Sequence, residues 1–400
     1  MSKTYSKRKK YFIITTVIVL IILMVAKLYT SNNSGNNFQE VIQSVPNEKL
    51  LGLTNFISNE NEKTQDAFFK KLSKITIDMI QKQDERLKKL EQQNELLLQE
   101  LHSLKLPPQS ASLREKLVFL YPYDLTTRFP GYVWQSWKYG LNDDRFDSRF
   151  REGEIQWANK NPGFVHEIFN DDTAHAVIRH LYKQIPEVGE AYKLLPEVIL
   201  KMDFFRYLIL FAKGGVYADI DTYPLQPIPN WIPQNVSPEE LGLIISIGSD
   251  SNSPNWRLES ARRLQFGQFV IQAKPGHPIL REMIAQIVEE TVSKSKDSNP
   301  DAIHLTGSSN QKNLKILKWT GSGRWTDIIM NYFNDYIQSS IYQKVTWKDF
   351  HELKVPKLVS DVLVLPLESF SSEIDIPKDG KIGDPLAFVK HYAANIWKSS

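Results

Sequence analysis

Two carboxylates one residue apart close an apolar stretch of the chain, in the segment GGVYADIDT. Read as a strand from Val216 to Asp221, alternate residues share a face. Val216, Ala218 and Ile220 then point into a core, and Tyr217, Asp219 and Asp221 point the other way. Residues two apart in a strand lie about 7 Å apart at Cα. Asp is depleted in strands, and two like charges at a strand end repel. A divalent cation removes that penalty, because Mg²⁺ and Mn²⁺ prefer hard oxygen ligands. A diphosphate would supply the remaining ligands. The plainer alternative is a strand running out into a solvated turn, since Thr222 and Pro224 follow. A second charged pair, Asp203 and Arg206, lies on one face of the preceding helical segment at i, i+3 spacing. It is either a simple ion pair or a ligand set for a nucleotide sugar, with Asp203 accepting from hydroxyls and Arg206 facing phosphate.

The elements that must hold these residues alternate between helix-like and strand-like. Tyr132–Trp137 and Gly163–Asp171 read as strands, the latter followed by a helix near Ala174–Gln184. Glu197–Lys213 is apolar nearly all round and reads as a buried helix. Gly214-Gly215 closes it, as a C-terminal glycine does. After the aspartate pair, Leu241–Gly248, Phe266–Ala273 and Val359–Pro366 read as strands, with a helix after Pro278. Alternating helices and apolar strands imply an α/β layer fold with a mostly parallel sheet. His166, within a strand, and His277, in a turn before a helix, read as ordinary structural histidines, with no hydrolase-like triad around them.

Several blocks resemble glycosyltransferase family 32, in the right order over about Leu113–Lys398. KMDFFRYLILFAKGGVYADIDTYPLQPI is similar to the family's signature block, VWQSWK to its first-strand block, and WTGSGRWTD to its TGPxxWTD block, with Ser322 in place of proline. Within the family the resemblance is to fungal Golgi α-1,6-mannosyltransferases, including a subunit of a mannan polymerase complex. It implies a GT-A-type nucleotide-sugar-binding fold, GDP-mannose as donor, Mn²⁺ as cofactor, and α-1,6 transfer with retention to the N-linked glycan or mannan of glycoproteins. It places Asp219 and Asp221 on metal and diphosphate, and makes Asp203, Arg206, Trp134 and Gln135 donor-binding. It brings Asp327 to the transferred sugar and His391 to the metal. Each of the last four also has a plainer reading: a core tryptophan, a strand-edge amide, a helix N-terminal carboxylate and a surface histidine. The family's HxxxGSWK pattern is altered here, Asn395-Ile396 standing where Gly-Ser is usual. That puts the local backbone in doubt, since glycine reaches conformations closed to other residues.

Composition limits the remaining choices. The 400 residues carry a net charge of +3 with scattered basic residues, which gives no case for nucleic acid. With no cysteine, disulfides, thiolate nucleophiles and Cys-ligated metals are excluded. Lys3, Lys7, Arg8, Lys9 and Lys10 precede an uncharged apolar run, Tyr11–Ala26. The basic flank points to a cytoplasmic tail (1–10) and a type II anchor (11–28). The rest would lie in the Golgi lumen. A cleaved signal peptide is the alternative, but no small-residue cleavage site is evident. Residues 29–110 read as a stem. Within it Ile80, Leu87, Asn94 and Leu101 fall at heptad a, and Gln83, Leu90, Leu97 and Leu104 at d. Such a seam over 80–104 suits a coiled coil with a second copy or another transferase subunit, or else packing on the chain's own domain. The catalytic domain is expected at 111–400. The competing functional readings are a weakly active or inactive structural subunit of such a complex, and a glycan-binding protein.

Overall fold

The computed structural model describes residues 74, 77–78, 81–97, 106–108, 110–258, 260–297, 299–336, 343–371, 374 and 383–392. The expected tail and anchor lie outside them, as do Ile80, Leu101 and Leu104 of the heptad seam. Among the described residues no helix is long and apolar enough to cross a membrane. The chain divides into two compact units, Met1–Gln99 and Glu100–Ser400. In the first, residues 81–97 are helical, and Leu87, Leu90 and Leu97 of the seam are all exposed.

The second unit carries the candidate site. Its helices and strands run α1 (Leu113–Leu120), β1 (Tyr132–Ser136), α2 (Ser148–Lys160), β2 (Val165–Phe169), α3 (Asp171–Leu181), α4 (Pro186–Leu194), α5 (Val198–Lys213), β3 (Gly215–Ala218) and β4 (Thr222–Pro224). There follow β5 (Leu243–Asp250), β6 (Leu264–Phe266), β7 (Val270–Ala273), α6 (Pro278–Ser295), α7 (Ser309–Trp319), α8 (Ser322–Asn331), β8 (Lys357–Val359), β9 (Val362–Leu365), β10 (Phe370–Ser371) and β11 (Val389–His391). Short 3₁₀ turns connect some of them.

The α/β expectation holds. The main sheet has the order β2-β1-β3-β7-β5-β9-β8, with β6 beside β5. β2, β1 and β3 are parallel neighbours, as are β5 and β9; β7 runs antiparallel between β3 and β5, and β6 and β8 are also antiparallel to their neighbours. Most strands thus share one direction, and β7 reverses it beside the aspartate pair. A small second sheet, β10-β11-β4, joins the chain's last described strand to the turn after β3.

α5 explains much of the packing. Phe204, Phe205, Tyr207, Leu208, Leu210 and Phe211 are fully buried and form one core cluster with the sheet residues Tyr217, Ile245 and Ile271. The opposite face, with Val133, Val216 and Ala218, packs on Trp157 of α2, Trp231 and Phe370. A helix this apolar must reverse sharply into the sheet. Gly214 and Gly215 do so at φ 65° and 95°, a region only glycine enters readily. A Cβ on Gly215 would come within 2.8 Å of the Tyr132 Cβ.

The strand expected over Val216–Asp221 is shorter than the sequence suggests. β3 stops at Ala218, and Asp219–Asp221 form the turn into β4. The side-chain alternation holds for Val216, Tyr217 and Ala218, with both faces buried. The last ladder bond is Asp219 N–H to Phe269 O, 2.8 Å. Beyond it, side chains replace strand partners on the Asp219 carbonyl: Thr222 Oγ1 donates at 2.6 Å and Gln135 Nε2 at 3.2 Å. The two carboxylates therefore converge through a turn, not through strand alternation.

Candidate active site

Asp219, Asp221 and His391 each offer one ligand atom, and these atoms all lie within 4.8 Å of one another. β3 delivers the aspartates to the carboxyl end of the sheet. β11 delivers the histidine by pairing antiparallel with β4, His391 opposite Thr222. The Tyr392 N–H also donates to the Asp221 carbonyl at 2.8 Å. The imidazole stacks on the Phe269 ring, centroids 4.2 Å apart and planes 8° from parallel. Its Nε2 lies 3.4 Å from Asp221 Oδ1. Two carboxylate oxygens and one imidazole nitrogen suit a divalent first-row cation, and their spacing fits neighbouring positions in one coordination shell. These three residues would hold such an ion, whose charge would offset the crowded carboxylates.

The charges around this group are buried and ordered. Arg206, 4% exposed, donates from Nη2 to Asp203 Oδ1 at 2.8 Å and from Nη1 to the Gln268 carbonyl at 2.8 Å. Its Nη1 also stands 3.3 Å from Asp219 Oδ1. Burial pushes the Asp219 carboxyl up to about 6; Arg206 and His391 pull it down, while Asp221 and Asp203 add to the rise. A bound cation would favour the ionised form, the reverse of what burial does here.

Asp203, expected to bind the donor, stands beside Arg206 at the base of this group. It is 1% exposed, and both its oxygens are taken. Gln268 Nε2 donates to Oδ1 at 3.1 Å beside Arg206, and Thr320 Oγ1 donates to Oδ2 at 2.9 Å. It braces Arg206. Trp134 is a core residue at 6% exposure, stacked on Tyr132, with its indole N–H donated to the Gly214 carbonyl at 2.7 Å.

Gln135 is fully buried, and both ends of its amide are engaged. With Nε2 on the Asp219 carbonyl, its Oε1 meets His166 Nε2 at 2.8 Å. Burial pulls the His166 imidazole down to about 4, so near neutral pH it is uncharged and able to donate to that oxygen. Glu154 approaches its other nitrogen, Nδ1, at 4.0 Å. A relay thus runs from β2 through β1 to the aspartate turn. His166, expected as an ordinary structural histidine, thus buttresses the site from a neighbouring strand. On the turn's other side, Trp157 Nε1 donates to Thr222 Oγ1 at 3.2 Å, and α2 comes so close at Gly153 that a Cβ there would lie 2.5 Å from the Thr222 carbonyl.

Asp327, on α8, is not gathered with Asp219, Asp221 and His391. It forms a two-pronged ion pair with Arg262, Nε to Oδ1 at 2.6 Å and Nη2 to Oδ2, and lines a separate cleft. Asn395 and Ile396 lie outside the described residues.

Comparison with known proteins agrees with this geometry. Residues 147–238 match the family described as "Glycosyltransferase sugar-binding region containing DXD motif". The chain is 40% identical over 372 residues to a protein of Saccharomyces cerevisiae named as glycosyltransferase HOC1, spanning 92% of this chain and 90% of that one. It is 38% identical over 303 residues to the initiation-specific alpha-1,6-mannosyltransferase of Candida albicans, spanning 73% of this chain and 78% of that one. The protein of that name in Saccharomyces cerevisiae is 31% identical over 395 residues, covering 72% and 82% of the two chains.

Proposed function

The chain belongs to the DXD-containing glycosyltransferases of family 32, and from that premise we propose that it transfers mannose from GDP-mannose in α-1,6 linkage to the glycans of glycoproteins, with retention and with Mn²⁺ as cofactor. The observation that carries the reading is the convergence of Asp219, Asp221 and His391 at the carboxyl end of β3. This is where a GT-A-type enzyme holds the donor's diphosphate, and the relatives named for α-1,6-mannosyl transfer support the sugar and linkage. A cation bound there would neutralise charge that builds on the departing nucleotide.

The chain's own residues do the positioning. Gln135, Thr222 and the backbone N–H of Asp219 fix the turn; Arg206, set by Asp203 and Gln268, orients the Asp219 carboxylate. Phe269 fixes the plane of His391. Holding all the ligands before the donor arrives removes reorganisation from the reaction itself. We place the protein in the Golgi membrane as a single-pass type II protein with its catalytic unit in the lumen. The basic flank and apolar run at its N-terminus support that placement.

A second reading, a structural subunit of a transferase complex, is favoured by the exposed Leu87, Leu90 and Leu97 on one helix. One experiment separates the two. Full-length protein purified in detergent is assayed for sugar release from GDP-mannose and other nucleotide sugars, with Mn²⁺ and with chelator. Metal-dependent release from GDP-mannose supports the enzyme; none under any condition supports the subunit.

A further inference from the structure

A cleft of about 560 Å³ is lined by Trp256, Arg257, Arg262, Arg263, Asp327 and Trp347 among others. The reading above leaves these residues without a role. We propose that this cleft binds the acceptor saccharide. The proposal rests on the glycosyltransferase reading and names the surface that holds the second substrate.

Three observations carry it. The first is the lining chemistry. Two tryptophans bring flat apolar faces of the kind that pack on the C–H face of a pyranose ring. Each carries a guanidinium: Arg257 lies 4.4 Å from the Trp256 ring centroid and Arg263 lies 4.0 Å from that of Trp347. A guanidinium stacked in this way keeps its N–H edge free to donate in the plane. Between them the Arg262–Asp327 pair offers both donors and acceptors, at side-chain exposures of 36% and 44%. A saccharide, with hydroxyls that donate and accept around an apolar ring face, matches that mixture.

The second observation is an unused donor. The Arg263 Nε is buried without a hydrogen-bond partner. A buried N–H left unpaired is destabilising, and a ligand hydroxyl reaching it would offset that.

The third is placement and rigidity. The hydroxyl of Thr326, beside Asp327, accepts from the Phe266 N–H at 3.0 Å and donates to the Ser322 carbonyl at 2.7 Å, and Trp325 Nε1 donates to the Gly267 carbonyl at 3.1 Å. Three residues further along the same segment, Phe269 stacks on His391. Leu264, in the cleft wall, is five residue steps from Phe269, at most about 18 Å, so the cleft and the metal-ligand group flank one short piece of chain. The far wall is pinned as well. Asp250, ending β5, accepts from His351 Nδ1 at 2.9 Å and from the Glu352 N–H at 2.8 Å, and the His351 ring stands edge-on to Trp347.

The test uses full-length protein in detergent and α-1,6-mannotriose as the probe. Binding is measured by calorimetry for wild type, Trp347→Ala and Arg257→Ala; GDP affinity and thermal midpoint are measured on the same samples. Arg257 is exposed, so its truncation leaves the fold intact if Trp347→Ala does not. The expected result is mannotriose binding weakened at least tenfold in each folded variant, with GDP affinity as in wild type. Wild-type mannotriose affinity in Arg257→Ala and folded Trp347→Ala overturns the proposal. So does a loss of GDP affinity with mannotriose binding retained, which would make the cleft part of the donor site. Failure of the wild-type protein to bind mannotriose overturns it too. Sugar release from GDP-mannose, assayed alongside, then tells whether the donor reading stands without it.

Discussion

Replacing Asp203 by Asn separates a brace from a ligand. The side chain is 1% exposed, and Asn keeps its volume while removing one negative charge. Little hydrogen bonding need be lost. The Asn oxygen can face Arg206 Nη2 and Gln268 Nε2, and the Thr320 hydroxyl can rotate to accept from the Asn amide. The charge is the larger effect. Arg206, 4% exposed, is left with Asp219 as its anionic neighbour, 3.3 Å away. Removing one partner of a buried pair costs about 3–5 kcal/mol, and the surviving anion argues for the low end, about 3 kcal/mol. At roughly 2–4 °C per kcal/mol for a domain of this order, the thermal midpoint should fall by about 6–12 °C. Thermal unfolding and GDP-mannose turnover on the same preparation read both consequences. A midpoint within about 2 °C of wild type combined with lost turnover would refute the reasoning, because it would mean that Asp203 acts on substrate and not on Arg206.

Other perturbations test the remaining parts. Asp221→Asn should abolish turnover with little change in the thermal midpoint, and chelation of wild type should mimic it; full turnover by the variant in excess chelator would end the metal assignment. His391→Ala should raise the half-saturating Mn²⁺ concentration roughly tenfold or more and shrink any preference for Mn²⁺ over Mg²⁺, while an unchanged titration would leave His391 a structural residue. For His166 the sign follows from its folded value of about 4, below the ordinary value. The folded protein binds fewer protons than the unfolded chain between about pH 6.5 and 4, so stability is complete above that window and falls by about 3 kcal/mol as the pH drops through it. His166→Gln should flatten that part of the thermal midpoint–pH curve; a parallel curve would show that the relay is not the source. Glutamates in place of Leu90 and Leu97 should split any assembly on sizing while leaving turnover near wild type, and an unchanged elution volume would remove the coiled coil.

What could be read from the sequence was what depended on local composition. α5 is a mostly apolar run, broken by few charges and ended by two glycines, and it reads as a buried helix. The aspartate pair was legible as chemistry, but its geometry was not. β3 ends at Ala218 because Gln135 and Thr222 supply the Asp219 carbonyl with partners that a strand would otherwise give. Those contacts join residues 84 and 3 positions apart, and only the shorter could be guessed from spacing. His391 was accessible only through resemblance, since its arrival depends on β11 pairing with β4. The contact of the Gln135 amide with His166 depends on the register of β1 against β2, which spacing does not reveal. The partner of Asp327, Arg262, carries no motif at all, so their pairing is not legible in the sequence.

The charge arrangement explains why this site would want a divalent cation before it accepts a nucleotide. Arg206 faces Asp203 and Asp219, and Asp221 faces His391, so among these groups carboxylates outnumber the guanidinium when His391 is neutral. A metal-ligating histidine must be neutral. In that state the pocket repels a diphosphate, and in a partly buried site such repulsion is weakly screened. A divalent ion cancels the surplus. Arg206 alone does not, because Asp203 already claims much of its charge within the core. Donor affinity should therefore depend on the cation more steeply than folding does. Calorimetric titration of GDP into the chelated and the Mn²⁺-loaded protein measures that dependence directly. Equal affinities in the two states would mean that the carboxylates are neutralised by protons, and that the pair at the end of β3 serves the turn alone.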